Sequence, residues 1–254
     1  MKIIDMHAHI WMHKKDVSKR KILKAAEVYG LDKVFVSTLI APIPTVEEVK
    51  LVNSVTFDFV REAPEVIRGY TYVSPEHKNA LDVLRRGIED DGAVGIKVWI
   101  SDYFNSPNMN PLAEALIDYG MPVLIHAFRK TGGSKIPTEN TSVEVRELAL
   151  RYPELKIVMA HIDGNYYHGV GNVRDIPNIA VDISGGPHKT REVEYAVEHL
   201  GADRVLFGSD MSENSLAVPL GKTLEANITD AEREKIFYKN TERIFELGLK
   251  NGDR

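Results

Sequence analysis

Two histidines set two residues apart, His7 and His9, close the apolar run KIIDMHAHI over residues 2–10. Alternate side chains of a strand share a face, so Asp5, His7 and His9 are expected on one side and Ile4, Met6 and Ala8 on the other. Two imidazoles placed in this way can grip one metal ion. Polar residues recur at the ends of later apolar runs. His126 lies in MPVLIHA, His161 in LKIVMAHI, Lys97 in AVGIKVWI, and Asp210 directly follows RVLFGS. Each interrupts a segment in which an unpaired polar group would cost several kcal/mol. Three imidazoles with a carboxylate suit Zn²⁺, Mn²⁺ or Fe²⁺ at neutral pH, and zinc is the first expectation, at one or two ions per chain.

The elements that must position these residues alternate along the chain. Strands are expected at Lys2–Ile10, Lys33–Ile40, Ile67–Val73, Ala93–Ile100, Met121–Ala127, Leu155–Ile162, Asn178–Ile183 and Arg204–Ser209. Helical spacing or capping predicts helices over 16–29, 45–63, 77–90, 111–119, 142–152 and 191–200, with two polar helices at 230–237 and 241–249. Thr45 and Glu48 form a capping-box signature at the second helix. Residues 163–177, rich in Gly, Asn, Tyr and His, read as a long active-site loop with little helix. Eight strands alternating with helices in about 250 residues is the arithmetic of a (β/α)₈ TIM barrel. A doubly wound open sheet is the runner-up, but the first βα turn lacks a Gly-rich phosphate fingerprint. The six polar residues then fall at the C-terminal rim of the strands, where barrels carry their active sites.

The chain has 254 residues, 43% of them hydrophobic, enough for one barrel domain spanning 1–254. A net charge of −5 with interspersed signs argues against nucleic acid and against an anionic membrane as partners. There is no cysteine, which excludes thiolate metal sites and disulfides. No apolar stretch follows a basic start and no run could span a bilayer, so a cytoplasmic protein, possible as a homo-oligomer, is expected.

Six stretches carry a resemblance to a known family: DMHAH (5–9), GIKVW (95–99), PVLIHA (122–127), KIVMAHIDG (156–164), LFGSD (206–210) and KNTERIFEL (239–247). In this order the chain resembles the amidohydrolase superfamily, in the branch of aminocarboxymuconate-semialdehyde decarboxylase. The resemblance implies His7, His9, His126 and Asp210 as metal ligands, with His161 either a second-metal ligand or a catalytic imidazole. Binuclear members carboxylate a strand-four lysine to bridge two metals, which makes Lys97 a further candidate. The branch commonly has a glycine pair soon after the strand-six histidine, whereas here Ile162, Asp163, Gly164 and Asn165 follow His161.

Asp5 is expected to fix an imidazole tautomer through its carboxylate. Trp11, His13, Trp99, Arg129, His188 and Arg191 fall in loops over the rim. Trp11, Trp99, Arg129 and His188 are the substrate-contact candidates, and Arg129, Lys130 and His188 hint at a small anionic substrate. The expected activity is metal-dependent hydrolysis of a small carboxylate-bearing lactone, ester or amide. The cation would activate a water, Asp210 would move its proton, and His161 would polarise the carbonyl. Non-oxidative decarboxylation of an unsaturated or aromatic acid is the alternative, and a non-catalytic binding barrel is a third reading.

Overall fold

The computed structural model describes residues 1–130, 132, 136–185 and 189–247. Its strands are β1 (Ile4–Trp11), β2 (Lys33–Leu39), β3 (Ile67–Gly69), β4 (Thr71–Tyr72), β5 (Ile96–Val98), β6 (Val123–Ile125), β7 (Ile157–Met159), β8 (Ile179–Asp182) and β9 (Val205–Leu206). Helices follow most of them: α1 (Lys15–Tyr29), α2 (Val46–Glu62), α3 (Ala80–Glu89), α4 (Asn110–Tyr119), α5 (Ser142–Arg151), α6 (Tyr166–Val173), α7 (Glu192–Leu200), α8 (Ala217–Glu225), α9 (Asp230–Glu234) and α10 (Asn240–Ile244).

Every strand pairing is parallel, in the orders β1-β2-β3 and β4-β5-β6-β7-β8-β9. The expected third strand is present but divided at Tyr70, whose N–H donates to Val36 O at 2.9 Å. Beyond the division, α2 substitutes for a strand partner. The Asn53 amide donates to Tyr72 O at 2.9 Å and accepts from Tyr72 N at 2.7 Å. On its other edge β1 meets the end of the fold: Met6 N donates to Phe207 O at 3.1 Å, and Asp210 N to His7 O at 2.7 Å. The architecture is the (β/α)₈ barrel read from the alternation.

Alternate residues of the short strands separate into two apolar layers. Val34, Val36, Ile96, Val98, Val123, Ile125, Ile157, Ile179 and Val181 pack outward with the helices. Phe35, Tyr70, Leu124, Val158, Ala180 and Leu206 fill the interior with Ile4 and Met6, below which Ile244 and Phe245 form a plug. Phe245 meets Phe35 and Tyr70 edge to face at centroid distances of 5.1 and 5.8 Å. Such burial is worth about 1.5–3 kcal/mol per large side chain.

Three expectations need correction. The pairing of β1 with β2 shifts register between Asp5 and Ala8. Ile4 and Met6 therefore belong to the interior cluster before the bulge, whereas Ala8 and Ile10 belong to the outer layer after it. Asp5 does not share the face of the imidazoles, because a bulge re-phases the pleat. Second, residues 163–177 contain helix α6, with Tyr166, Val170 and Val173 buried; tertiary burial overrides a loop-like composition. Third, α8 was not anticipated; Pro219 and Gly221 within it mask its periodicity. The capping box of α2 is formed as expected, Glu48 N donating to Thr45 Oγ1 at 3.2 Å and Thr45 N to Glu48 Oε2 at 2.8 Å.

Candidate metal centre and active site

His7 and His9 project from β1 with Nε2 atoms 2.9 Å apart. Asp210, after β9, brings Oδ1 to 3.4 Å from His9 Nε2 and 3.8 Å from His7 Nε2. Lys97 of β5 places Nζ 3.3 Å from His7 Nε2. His161 follows β7, and one donor atom from each of His7, His161 and Asp210 falls within 4.8 Å of the others. His126, after β6, completes the cluster with Nδ1 at 3.2 Å from His161 Nε2. The structure thus brings together all six residues singled out at the rim.

Glycines allow the approach. A Cβ at Gly208 would lie 2.9 Å from the His7 Cβ, and one at Gly185, where φ is +59°, would collide with the His161 ring. This explains the glycine of LFGSD.

The far sides of the rings decide which nitrogens are free. His7 Nδ1 is 2.8 Å from Asp182 Oδ2, and both side chains are fully buried. Burial alone would raise the Asp182 carboxyl, but the His7 and His161 rings and the Ser184 hydroxyl outweigh it and hold the group well below the usual range. An ionised carboxylate only accepts, so the His7 proton sits on Nδ1. His9 Nδ1 lies 3.3 Å from the Ser37 carbonyl and 2.9 Å from its hydroxyl, and His161 Nδ1 lies 3.2 Å from the Ser184 carbonyl. Each ring is therefore assigned Nε2 as its lone-pair nitrogen. Two such nitrogens and a carboxylate oxygen face one point at mutual distances of 2.9, 3.4 and 3.8 Å. Donors held at ~2.1 Å around one tetrahedral ion are roughly 3.4 Å apart. Converging lone pairs with so few donors among them fit a cation.

Burial pushes the imidazoles toward the neutral form that ligation requires. It takes His126 down to about 4, against the Glu139 contact, and His161 to about 3, against Asp210. His9 is driven well below its ordinary value by burial, then by His7 and Lys97. Burial also brings Lys97 to about 8, opposed by Asp210 and Asp182.

Asp5 has a different job from the one expected. Its carboxylate accepts from Ser209 N at 2.9 Å, Ser209 Oγ at 2.5 Å and the His7 backbone N–H at 3.1 Å, and among the described residues it bonds to no imidazole. It ties β1 to the segment after β9, while the tautomer-fixing carboxylate is Asp182. Sequence reasoning passed over Asp182, although an acid inside the apolar run NIAVDI was a visible signal. It also missed Ser37, Ser184 and Glu139. The half-buried Glu139 carboxylate sits 3.5 Å from His126 Nε2 and 3.0 Å from Lys130 Nζ.

Aromatic rings border the centre. Trp11 and Trp99 meet edge to face at 5.8 Å; Trp11 lies 6.3 Å from the His9 ring and Trp99 6.5 Å from His126. Phe128 stacks on His126 at 6.2 Å. Arg129 Nε pairs with the buried Asp163 at 3.2 Å. His13 lies 6.1 Å from Trp11, and Arg191 pairs with Glu198 at 3.9 Å. His188 lies outside the described residues. Among the described residues no helix is long and apolar enough to cross a membrane.

A family model described as amidohydrolase matches residues 4–247. No curated protein matches the chain. Among solved structures, 2,6-dihydroxybenzoate decarboxylase from Rhizobium superposes with a TM-score of 0.81 at 18% identity, over 97% of this chain and 99% of that one. For 5-carboxyvanillate decarboxylase from Sphingomonas paucimobilis the values are 0.77 and 17%, over 96% and 99%. A dihydroxybenzoic acid decarboxylase from Polaromonas, bound to manganese and 2-nitroresorcinol, gives 0.78 and 17%, over 98% of both chains. At such identities the likeness is one of fold.

Proposed function

Because the chain belongs to the amidohydrolase family, matched over residues 4–247, we propose that it is a metal-dependent, non-oxidative decarboxylase of a small aromatic or unsaturated carboxylic acid. The observation that carries this reading is the border of flat rings, Trp11, Trp99 and Phe128, standing beside the histidine cluster. Such rings suit a planar substrate stacked or packed edge-on. The end-to-end likeness to decarboxylases of aromatic acids points the same way and ranks this chemistry above lactone, ester or amide hydrolysis.

His7, His9 and Asp210 would hold the cation, with His161 and His126 adjacent. A bound divalent ion would supply Lewis-acid attraction for the substrate's carboxylate and neighbouring oxygen. Imidazole and carboxylate donors suit manganese, zinc or iron alike.

In the proposed reaction the bond to the carboxylate breaks, carbon dioxide leaves, and the electron pair stays on the ring or vinyl carbon, which takes up a proton. Asp210 would deliver it. Its carboxylate is partly open to solvent, from which a proton can be replenished, and Oδ2 accepts from Asn214 Nδ2 at 2.7 Å. His161 presents Nε2 toward the same space, where it can orient the substrate. The rings of Trp11 and Trp99 limit water beside the reacting carbon.

The test is carbon dioxide release from a panel of hydroxybenzoic and muconate-type acids by manganese- or zinc-loaded protein. Stoichiometric release with the protonated product is expected. Turnover of lactones or esters without carbon dioxide would overturn the assignment in favour of hydrolysis.

A further inference from the structure

Three consecutive non-glycine residues, His161, Ile162 and Asp163, have φ values of 62°, 42° and 62°. A left-handed backbone is unfavourable for an L-residue, and a β-branched residue such as Ile162 tolerates it least. The turn persists only if its surroundings hold it.

The near end is held by Asp182, whose Oδ1 accepts from His161 N at 3.1 Å. The far end is held by Asp163, which is fully buried. Its Oδ1 accepts from Ser142 N at 3.0 Å and its Oδ2 from Ser142 Oγ at 2.7 Å, at the first turn of α5. Arg129 adds a second grip: Nε reaches Oδ2 at 3.2 Å, and its backbone N–H donates to Asp163 O at 2.8 Å. Next in the chain, a Cβ at Gly164 would strike the Phe128 ring at 2.9 Å, so the turn also lies flush against Phe128.

We infer that Asp163 is a positioning residue, whose carboxylate pins the left-handed turn to α5 and so fixes where the His161 imidazole points. The inference rests on the role given to His161 in the proposed reaction. An anchor serving the fold alone would not need to secure three strained residues directly behind a ring that faces the reacting space. A displacement of that ring by about 1 Å would lower turnover by up to about 10²-fold.

The experiment compares Asp163→Ala, Asp163→Asn and His161→Asn in the zinc-loaded protein by histidine-labelled NMR and by steady-state kinetics. Asp163→Ala is expected to move the His161 ring signals, identified by their loss in His161→Asn, while those of His7 stay in place. It is expected to lower kcat about 10–100-fold with KM and zinc content unchanged. Asp163→Asn, whose amide oxygen can still accept from Ser142 N, should recover part of both effects. Unmoved His161 signals, or a lower Tm with kcat within threefold of the parent, would overturn the inference. Should Asp163→Ala not fold, Ser142→Ala removes a single donor and should give a smaller shift of the same signals; no shift overturns it equally. Intact turnover in His161→Asn would instead sink the role of His161, a result distinct from intact turnover in Asp163→Ala alone.

Discussion

His7 Nδ1 and Asp182 Oδ2 lie 2.8 Å apart with neither side chain exposed, although 175 positions separate them in the chain. The carboxylate assigns the ring proton and turns the lone pair of Nε2 toward the proposed cation site. Asp182→Asn should therefore weaken metal binding about 10–100-fold, read by chelator competition. Unchanged affinity would remove Asp182 from the metal centre.

Proton linkage predicts a second behaviour. His126 and His161 titrate near 4 and 3 in the folded protein, and His9 also falls well below its ordinary value, all through burial. The unfolded chain binds protons to these rings below about 6.5 while the folded one does not, so stability is lost as pH falls from about 6.5 toward 4. Asp5, raised to about 7 by burial against its Ser209 and His7 hydrogen bonds, works in the opposite direction over about 4–7, and burial raises Asp91, Asp163 and Glu192 in the same sense, but the three deeply lowered imidazoles outweigh these carboxyls. Chelator-treated protein should thus unfold at lower urea at pH 5 than at pH 7, and His126→Asn should reduce the difference. Equal midpoints at the two pH values would refute the account.

His161→Asn should reduce kcat by at least about 10²-fold, the size of a positioned acid–base or orienting group, with metal content preserved. Activity within a factor of about three of the parent would take His161 out of the chemistry.

Gly87 offers a test of packing away from the site. Alanine in the middle of α3 would ordinarily favour the helix by about 1 kcal/mol. Here its Cβ would run into Thr71 Oγ1 and lie 2.7 and 2.8 Å from Thr71 Cβ and Cγ2, a buried β-branched side chain with no room to turn away. Gly87→Ala should lower stability by about 1–3 kcal/mol in spite of propensity, and adding Thr71→Ala should restore much of it. A higher Tm for Gly87→Ala alone would show that the helix shifts freely.

The barrel and its ligand candidates were legible for one physical reason. His7, His9, Lys97, His126, His161 and Asp210 each break an apolar run, and burial makes such breaks expensive unless they serve a purpose. What escaped involves distance or phase. The tie between His7 and Asp182 joins β1 to β8, and no local pattern reports it. The face of Asp5 was misread because period-two reasoning assumes an unbroken pleat, and β1 is bulged. Helix α6 was hidden because its Gly, Asn and Tyr content argues for loop, while the burial of Tyr166, Val170 and Val173 decides for helix. The loops that choose a substrate carry no periodicity to read.

The bond between Ser209 N and the Asp5 carboxylate spans 204 positions. On the ribosome this separation becomes time. His7 and His9 emerge early, whereas Asp210 and the segment that clamps β1 emerge late. Until then the histidine pair lacks its carboxylate partner and β1 lacks a neighbour on one edge. Closing so long a loop is slow compared with forming local helices. The contact that brings a carboxylate to the two histidines is therefore made late, and amino-terminal fragments stopping short of β9 will lack that arrangement.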